Sequence, residues 1–141
     1  MPDSGRRRWL PSALLLGALY LAVGVVASAA LAGAASSSRM VLFWRWSAFI
    51  ISAVVFAAHI AHEHVRLRNP ARPTAWHASG AVAFGGFGLA LVANIHDQGS
   101  ASGYRPRMLV ALVAWPLVTA VPAFVVALGL AAALAVKRPR V

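Results

Sequence analysis

Residues 108–136 read MLVALVAWPLVTAVPAFVVALGLAAALAV, and this stretch decides the class of fold. It carries no charged residue over 29 positions, and about 20 apolar residues are enough for a helix to cross the ~30 Å hydrocarbon core of a bilayer. A helix that is apolar on all sides needs an apolar environment on all sides. The stretch therefore predicts a transmembrane helix.

Three further apolar stretches precede it in the chain. Together the four stretches predict helices over approximately 10–35, 41–64, 75–96 and 108–136. The composition agrees, because 60% of the residues are hydrophobic and only 11% are charged, against about a quarter in soluble domains. Short polar connections favour antiparallel neighbours. We expect one integral membrane domain over residues 1–141, an all-α membrane protein built as a four-transmembrane-helix up-down bundle.

The charged residues predict the orientation of this bundle. Thirteen Lys and Arg against three Asp and Glu give a net charge of +10. Nine basic residues fall on one predicted side of the membrane: Arg6, Arg7, Arg8, Arg66, Arg68, Arg72, Lys137, Arg138 and Arg140. The other side has four: Arg39, Arg45, Arg105 and Arg107. By the positive-inside rule, both termini are expected in the cytoplasm and the chain is expected to be multi-pass in the cell membrane.

The same distribution bears on the partners of the chain. Its basic residues flank the apolar helices, where anionic lipid headgroups lie, so the lipid bilayer is the expected partner of the positive charge and nucleic acid is not. The chain has no cysteine, which excludes disulfides and thiolate metal sites.

The first apolar stretch has a competing interpretation. Arg6 to Arg8, an apolar run and a small-residue segment resemble a secretory signal peptide. The apolar run continues for about 25 residues, whereas the core of a signal peptide covers roughly 7 to 15. Its length favours a retained helix, and cleavage would leave the predicted orientation of the other three helices unchanged.

Two features predict how the helices pack. Gly24, Ser28 and Ala32 recur at four-residue spacing on the first helix, a pattern that lets two helix backbones approach closely. Pro116 and Pro122 each remove a backbone hydrogen bond inside the fourth helix, so bends are expected there.

Four of the five histidines gather near the predicted cytoplasmic face. His59, His62 and His64 end the second helix, and His77 begins the third. On an α-helix, His59, His62 and Glu63 share one arc, while His64 points away from them. The short connection returns His77 to a similar depth. Because packed helices lie ~8 to 10 Å apart, imidazoles from both helices could converge on one ligand.

Three interpretations of this cluster remain open. In the first, His59 or His62 pairs with His77 as the axial ligands of haem b, with Gly80 clearing space for the ring. In the second, a transition metal such as zinc, copper or iron takes its ligands from His59, His62, Glu63 and His77. In the third, the imidazoles lie among lipid headgroups as amphipathic rings and bind no cofactor.

No other motif predicts catalysis. Gly85, Gly86 and Gly88 lack the preceding strand and the lysine of a phosphate loop, and no serine stands in a recognisable nucleophile motif. The sequence therefore predicts a small polytopic membrane protein without an evident catalytic site, most simply an accessory or structural subunit of a larger membrane assembly or a homo-oligomer. A haem- or metal-binding redox subunit is the alternative, and a small transporter comes third.

Overall fold

The structure is a computed structural model that describes residues 9–33, 37–98 and 106–136. Within these ranges the chain forms α1 (Trp9–Gly33), α2 (Ser38–Ala61), α3 (Ala71–Gln98) and α4 (Pro106–Val136). A five-residue π-helical segment, His62–Arg66, continues α2 and is called the π turn below. Each of the four α-helices is long and apolar enough to cross a membrane. The prediction of an all-helical chain with four such helices is confirmed.

The third helix begins four residues earlier than predicted. The sequence predicts a start near residue 75, but α3 begins at Ala71 and includes Pro73. Proline is tolerated in the first turn of a helix, where its missing N–H would have no partner within the helix. The backbone N–H of Thr74 donates to the carbonyl oxygen of Pro70 at 3.1 Å, which closes this first turn.

Close contacts at glycines show that α1 and α3 run in the same direction. A Cβ added at Gly17 would lie 2.8 Å from the Cβ of Phe84, and one added at Gly24 would meet the side chain of Leu89. Residue numbers at the contacts thus increase together along both helices, so the two helices are parallel. Of the predicted small-residue stripe, Gly24 packs in this way, whereas Ser28 is exposed and its hydroxyl donates to the Gly24 carbonyl oxygen at 2.8 Å.

Contacts between α3 and α4 show that these two helices run in opposite directions. The rings of Trp76 and Phe124 lie 4.9 Å apart, centroid to centroid, whereas Gly86 lies beside Thr119. The end of α2 joins the same arrangement, because Ile60 is buried with residues near the end of α4. These contacts fit helices that alternate in direction, as in an up-down bundle.

The helix α3 is the centre of the packing. Its contacts with α4 are the most extensive in the described part of the chain, followed by those with α1, while α2 packs mainly on α1 and sparsely on α3 and α4. No contact joins α1 and α4 within the described ranges. The order around the bundle is therefore α1, α3, α4, α2, and α2 and α3 lie diagonally although they are consecutive in sequence. The glycines of α3 account for this order, since they let α1 and α4 approach closely.

A cluster of fully buried apolar residues lies at one end of the bundle. Ile60, two alanines of α3 and two alanines of α4 form a buried cluster there: Ala75, Ala78, Ala127 and Ala131. Phe56 and Phe124 pack against it. Small side chains let the three helices meet closely at this end, which is also where the π turn and the histidines lie.

Candidate functional site

The π turn sets the geometry of the histidine-rich end. The backbone N–H of Leu67 donates to the carbonyl oxygen of His62 at 3.1 Å, five residues back, so one more residue occupies the turn than in an α-helix. The chain then leaves the helix through Arg68, whose φ of 54° lies in the left-handed region. The N–H of Asn69 donates to the carbonyl oxygen of Glu63 at 3.1 Å and closes the corner.

Glu63 is the centre of the polar contacts at this corner. It is 2% exposed, and its Oε2 atom accepts hydrogen bonds from two side chains beyond the π turn. The Nδ1–H of His77 donates to it at 3.0 Å, and the side-chain amide of Asn69 donates to the same oxygen. Because His77 belongs to α3, this carboxylate ties the end of α2 to the start of α3.

His59 lies on the other side of the same carboxylate. It is 6% exposed, and its Nε2 atom is 3.8 Å from Oε1 of Glu63, too far for a hydrogen bond. Neither ring nitrogen of His59 has a hydrogen-bond partner within the part of the chain that the structure describes. His59, Glu63, Asn69 and His77 are called the Glu63 cluster below.

The structure separates His62 and His64 in the opposite sense to the sequence expectation. His64 is buried, and its Nδ1–H donates to the carbonyl oxygen of Asn69 at 2.9 Å, whereas His62 is exposed. The wider π turn accounts for the position of His64, because it turns each following side chain less far around the axis than an α-helix does. His62 itself stands at an α-helical position, since its N–H donates to the carbonyl oxygen of Ala58. Of the predicted haem and metal ligands, the structure brings His59, Glu63 and His77 together and leaves His62 outside.

Sequence reasoning missed Asn69, which contacts both Glu63 and His64. An Asn-Pro pair is a known turn signal, and an asparagine at a turn commonly bonds nearby groups with its side chain. That signal could have placed Asn69 beside the histidines. It could not have indicated which of them it contacts, because the π turn sets this.

The contacts of Glu63 define the chemistry of the cluster. Its Oε2 atom accepts hydrogen bonds from Asn69, which lies in the corner between the π turn and α3, and from His77 on α3. Among the described residues, no group of three or more histidines and carboxylates is arranged to hold a metal ion. Haem and metal binding therefore stay predictions, and the geometry is that of a hydrogen-bonded clasp between two helix ends.

A second feature is a cavity between the helices that is largely open to the surroundings of the bundle. All four helices line a cavity of about 550 Å³, called the central cavity below. Its walls are mostly aliphatic, with aromatic side chains from three helices: Tyr20, Phe49, Phe56 and Trp115. The hydroxyl of Tyr20 is buried without a hydrogen-bond partner in the described ranges.

Comparison with known proteins assigns no family. No protein-family model, no curated protein and no solved structure matches the chain.

Proposed function

We propose that the chain is a non-catalytic, multi-pass protein of the cell membrane that serves as an accessory or structural subunit, either in a larger membrane assembly or in a homo-oligomer. Both termini lie in the cytoplasm, as the excess of basic residues on that side supports. The observation that carries the proposal is the poor coverage of α2 by the rest of its own chain.

Burial differs sharply between the helices. Of the 18 most apolar consecutive residues in each helix, 39% are buried in α3, against 11% in α4, 6% in α1 and none in α2. Side chains along the whole length of α2 form an exposed stripe at helical spacing: Phe43, Trp46, Ile50, Val54, Ala57 and Ala61. This set is called the α2 stripe. It lies away from the other three helices and is available to a neighbouring protein.

The chemistry of the α2 stripe supports a helix as its neighbour. Lipid chains are as apolar as the stripe, so helices associate in a bilayer through close packing rather than through the hydrophobic effect. Ala57 and Ala61 are four residues apart and small, which allows a second backbone to approach this end of α2. The two large aromatic residues at the other end supply contact area.

The Glu63 cluster fits the same proposal. Its carboxylate is bonded to residues that close the corner between α2 and α3, so the buried polar groups serve the fold. A buried ionisable residue near a membrane face needs partners, and here those partners are structural.

Photo-crosslinking from position 54 in intact membranes tests the proposal. We expect a discrete protein adduct that is lost in Ala57→Phe, because the larger side chain blocks close approach. Ala114→Phe, at an exposed alanine of α4, is the matched control and keeps the adduct. Lipid adducts alone, or a protein adduct that survives Ala57→Phe, would contradict a partner on the α2 stripe.

A haem- or metal-binding redox subunit is the second candidate, and two observations favour it. The imidazole of His59 is buried next to Glu63 without a hydrogen-bond partner in the described part of the chain. A Cβ at Gly80, one turn after His77, would meet no atom within 4 Å, so space lies beside the cluster.

Absorption spectra of the oxidised and reduced protein, with elemental analysis of the same sample, test this candidate. A Soret band that disappears in His77→Ala, or a stoichiometric metal that is lost in His59→Ala, would support it. A colourless, metal-free protein that stays so after haem supplementation would rule it out.

A further inference from the structure

The corner between α2 and α3 carries three exposed arginines. Arg66 ends the π turn, Arg68 follows it, and Arg72 lies in the first turn of α3. These three residues are called the corner arginines below. A chain spans at most ~3.6 Å per residue, so the Cα atoms of Arg66 and Arg68 are no more than ~7 Å apart. One membrane-spanning segment ends at Arg66 and the next begins at Ala71, which places the corner at a face of the membrane.

No carboxylate neutralises the corner arginines within the part of the chain that the structure describes. Their side chains form no ion pair and no hydrogen bond there. Glu63 is the acidic residue nearest to them in sequence, but it is buried, and its Oε2 atom already accepts hydrogen bonds from Asn69 and His77. The corner therefore presents an uncompensated positive charge.

Hydrogen bonds fix the backbone that carries this charge. The N–H of Asn69 donates to the carbonyl oxygen of Glu63 at 3.1 Å. The N–H of Thr74 donates to the carbonyl oxygen of Pro70 at the same distance. A set of charges on a fixed backbone loses less conformational freedom on binding than a mobile set. The corner is thus prepared for a defined ligand, beyond the general attraction of basic residues to a membrane surface.

Exposed apolar side chains alternate with the corner arginines. Val65 and Leu67 flank Arg66 in the sequence, and both are exposed. Trp76 lies four residues after Arg72 on the same face of α3 and is also exposed. Indole rings favour the boundary between headgroups and acyl chains. A ligand at this corner therefore meets cationic and apolar groups side by side.

A phosphate attached to apolar chains matches both kinds of group. Guanidinium groups bind phosphate oxygens through paired, charge-assisted hydrogen bonds. An acidic protein segment would match the positive charge but not the apolar side chains between the arginines. We propose that the corner arginines bind an anionic phospholipid, with its phosphate against the guanidinium groups and its chains beside Leu67 and Trp76. This inference rests on the part of the proposed function that places the chain in the membrane, and not on a partner at the α2 stripe.

Native mass spectrometry of protein in mild detergent, titrated with phosphatidylglycerol or with phosphatidylcholine of the same acyl chains, tests the site. We expect the unmodified chain to bind its first phosphatidylglycerol more tightly than its first phosphatidylcholine. Arg66→Gln combined with Arg72→Gln should weaken phosphatidylglycerol binding by about 25-fold, since one arginine near an anionic surface contributes about fivefold. Phosphatidylcholine binding should stay the same.

The matched control removes two charges from the other end of α2. Arg39→Gln combined with Arg45→Gln should change the affinity for the first phosphatidylglycerol by less than about twofold. Arg45 precedes Arg66 by 21 residues, or ~32 Å along the helix, well beyond the Debye length of ~10 Å. Equal weakening by the two glutamine variants, or equal binding of the two lipids by the unmodified chain, would overturn the proposal.

A lysine variant separates the charge from the fold. Arg66→Lys combined with Arg72→Lys keeps both charges but not the paired hydrogen bonds, so its affinity for phosphatidylglycerol should lie between those of the unmodified chain and the glutamine variant. A lysine variant as weak as the glutamine variant would contradict the role of charge. Neither arginine belongs to the α2 stripe. Preference for phosphatidylglycerol without a protein adduct at position 54 would therefore refute the subunit proposal and leave the lipid site in place.

Discussion

Glu63 joins two helix ends through a single carboxylate oxygen. In Glu63→Ala, His77 and Asn69 lose the acceptor of their hydrogen bonds, and a part-buried donor left unsatisfied costs about 1–2 kcal/mol. We expect the free energy of unfolding to fall by about 2–4 kcal/mol, measured by SDS titration in mixed micelles with helicity as the signal. His96→Ala, at an exposed histidine, is the control and should change it by less than about 0.5 kcal/mol. Equal effects of the two variants would show that the clasp does not stabilise the fold.

Arg68 holds a backbone conformation that favours glycine. Its φ is 54°, and an L-residue pays roughly 1–2 kcal/mol in the left-handed region. Arg68→Gly should therefore raise the free energy of unfolding by about 0.5–1 kcal/mol, after allowance for the greater freedom of glycine in the unfolded chain. Arg66→Gly removes the same charge from the π turn, where glycine is unfavourable, and should lower stability instead. The two variants moving in the same direction would contradict this reasoning.

The packing of α1 on α3 depends on glycines that face each other. A Cβ at Gly85 would lie 2.7 Å from the Cβ of Tyr20, closer than real Cβ atoms approach one another. We expect Gly85→Ala to lower the thermal unfolding midpoint in detergent, at a cost of about 1–3 kcal/mol for overpacking. Gly80→Ala is the matched control on the same helix, because nothing lies within 4 Å of its Cβ. A control that destabilises as much as Gly85→Ala would mean that helix contact is not the cause.

The number and approximate bounds of the helices were predictable from sequence because hydropathy and length decide whether a segment can cross a bilayer. The early start of α3 was not predicted, since Pro73 was assigned to a loop and not to a first helical turn. The π turn was not predicted either. It depends on a hydrogen bond between the Leu67 N–H and the His62 carbonyl oxygen, and no sequence motif predicts this bond.

Part of the candidate site was predictable because helical spacing decides which side chains are neighbours. The neighbourhood of His59 and Glu63 follows from their four-residue spacing across the junction of α2 and the π turn. The burial of His64 follows from the π turn, which an α-helical projection does not include, whereas His62 stands at an α-helical position and is exposed.

The distribution of basic residues predicts which side of the membrane each end of the bundle faces. The chain has no cysteine, so single-cysteine variants report topology directly. Ser4→Cys should react with a membrane-impermeant maleimide only after the cells are permeabilised, because the N-terminal segment is expected in the cytoplasm. Ser102→Cys, between the third and fourth helices, should react in intact cells. The reverse pattern would overturn the proposed orientation.

The order of the helices around the bundle could not be predicted from hydropathy, because all four stretches are apolar enough to occupy any position. Short connections suggested that consecutive helices would be neighbours. That holds for α1 with α2 and for α3 with α4, but α3 packs against α1 rather than α2, since close approach at glycines outweighs the short connection to α2. The central cavity is a product of this arrangement and was equally inaccessible to sequence reasoning.

The central position of α3 also has a consequence for biosynthesis. Ribosomes synthesise α1 and α2 first, yet the main partner of α1 is α3, whose glycines are translated later. The first two helices must therefore reside in the bilayer as a loosely joined pair until α3 has been inserted. During that interval their apolar and small-residue faces are uncovered, so the insertion machinery or a membrane chaperone has the opportunity to hold them before the bundle closes.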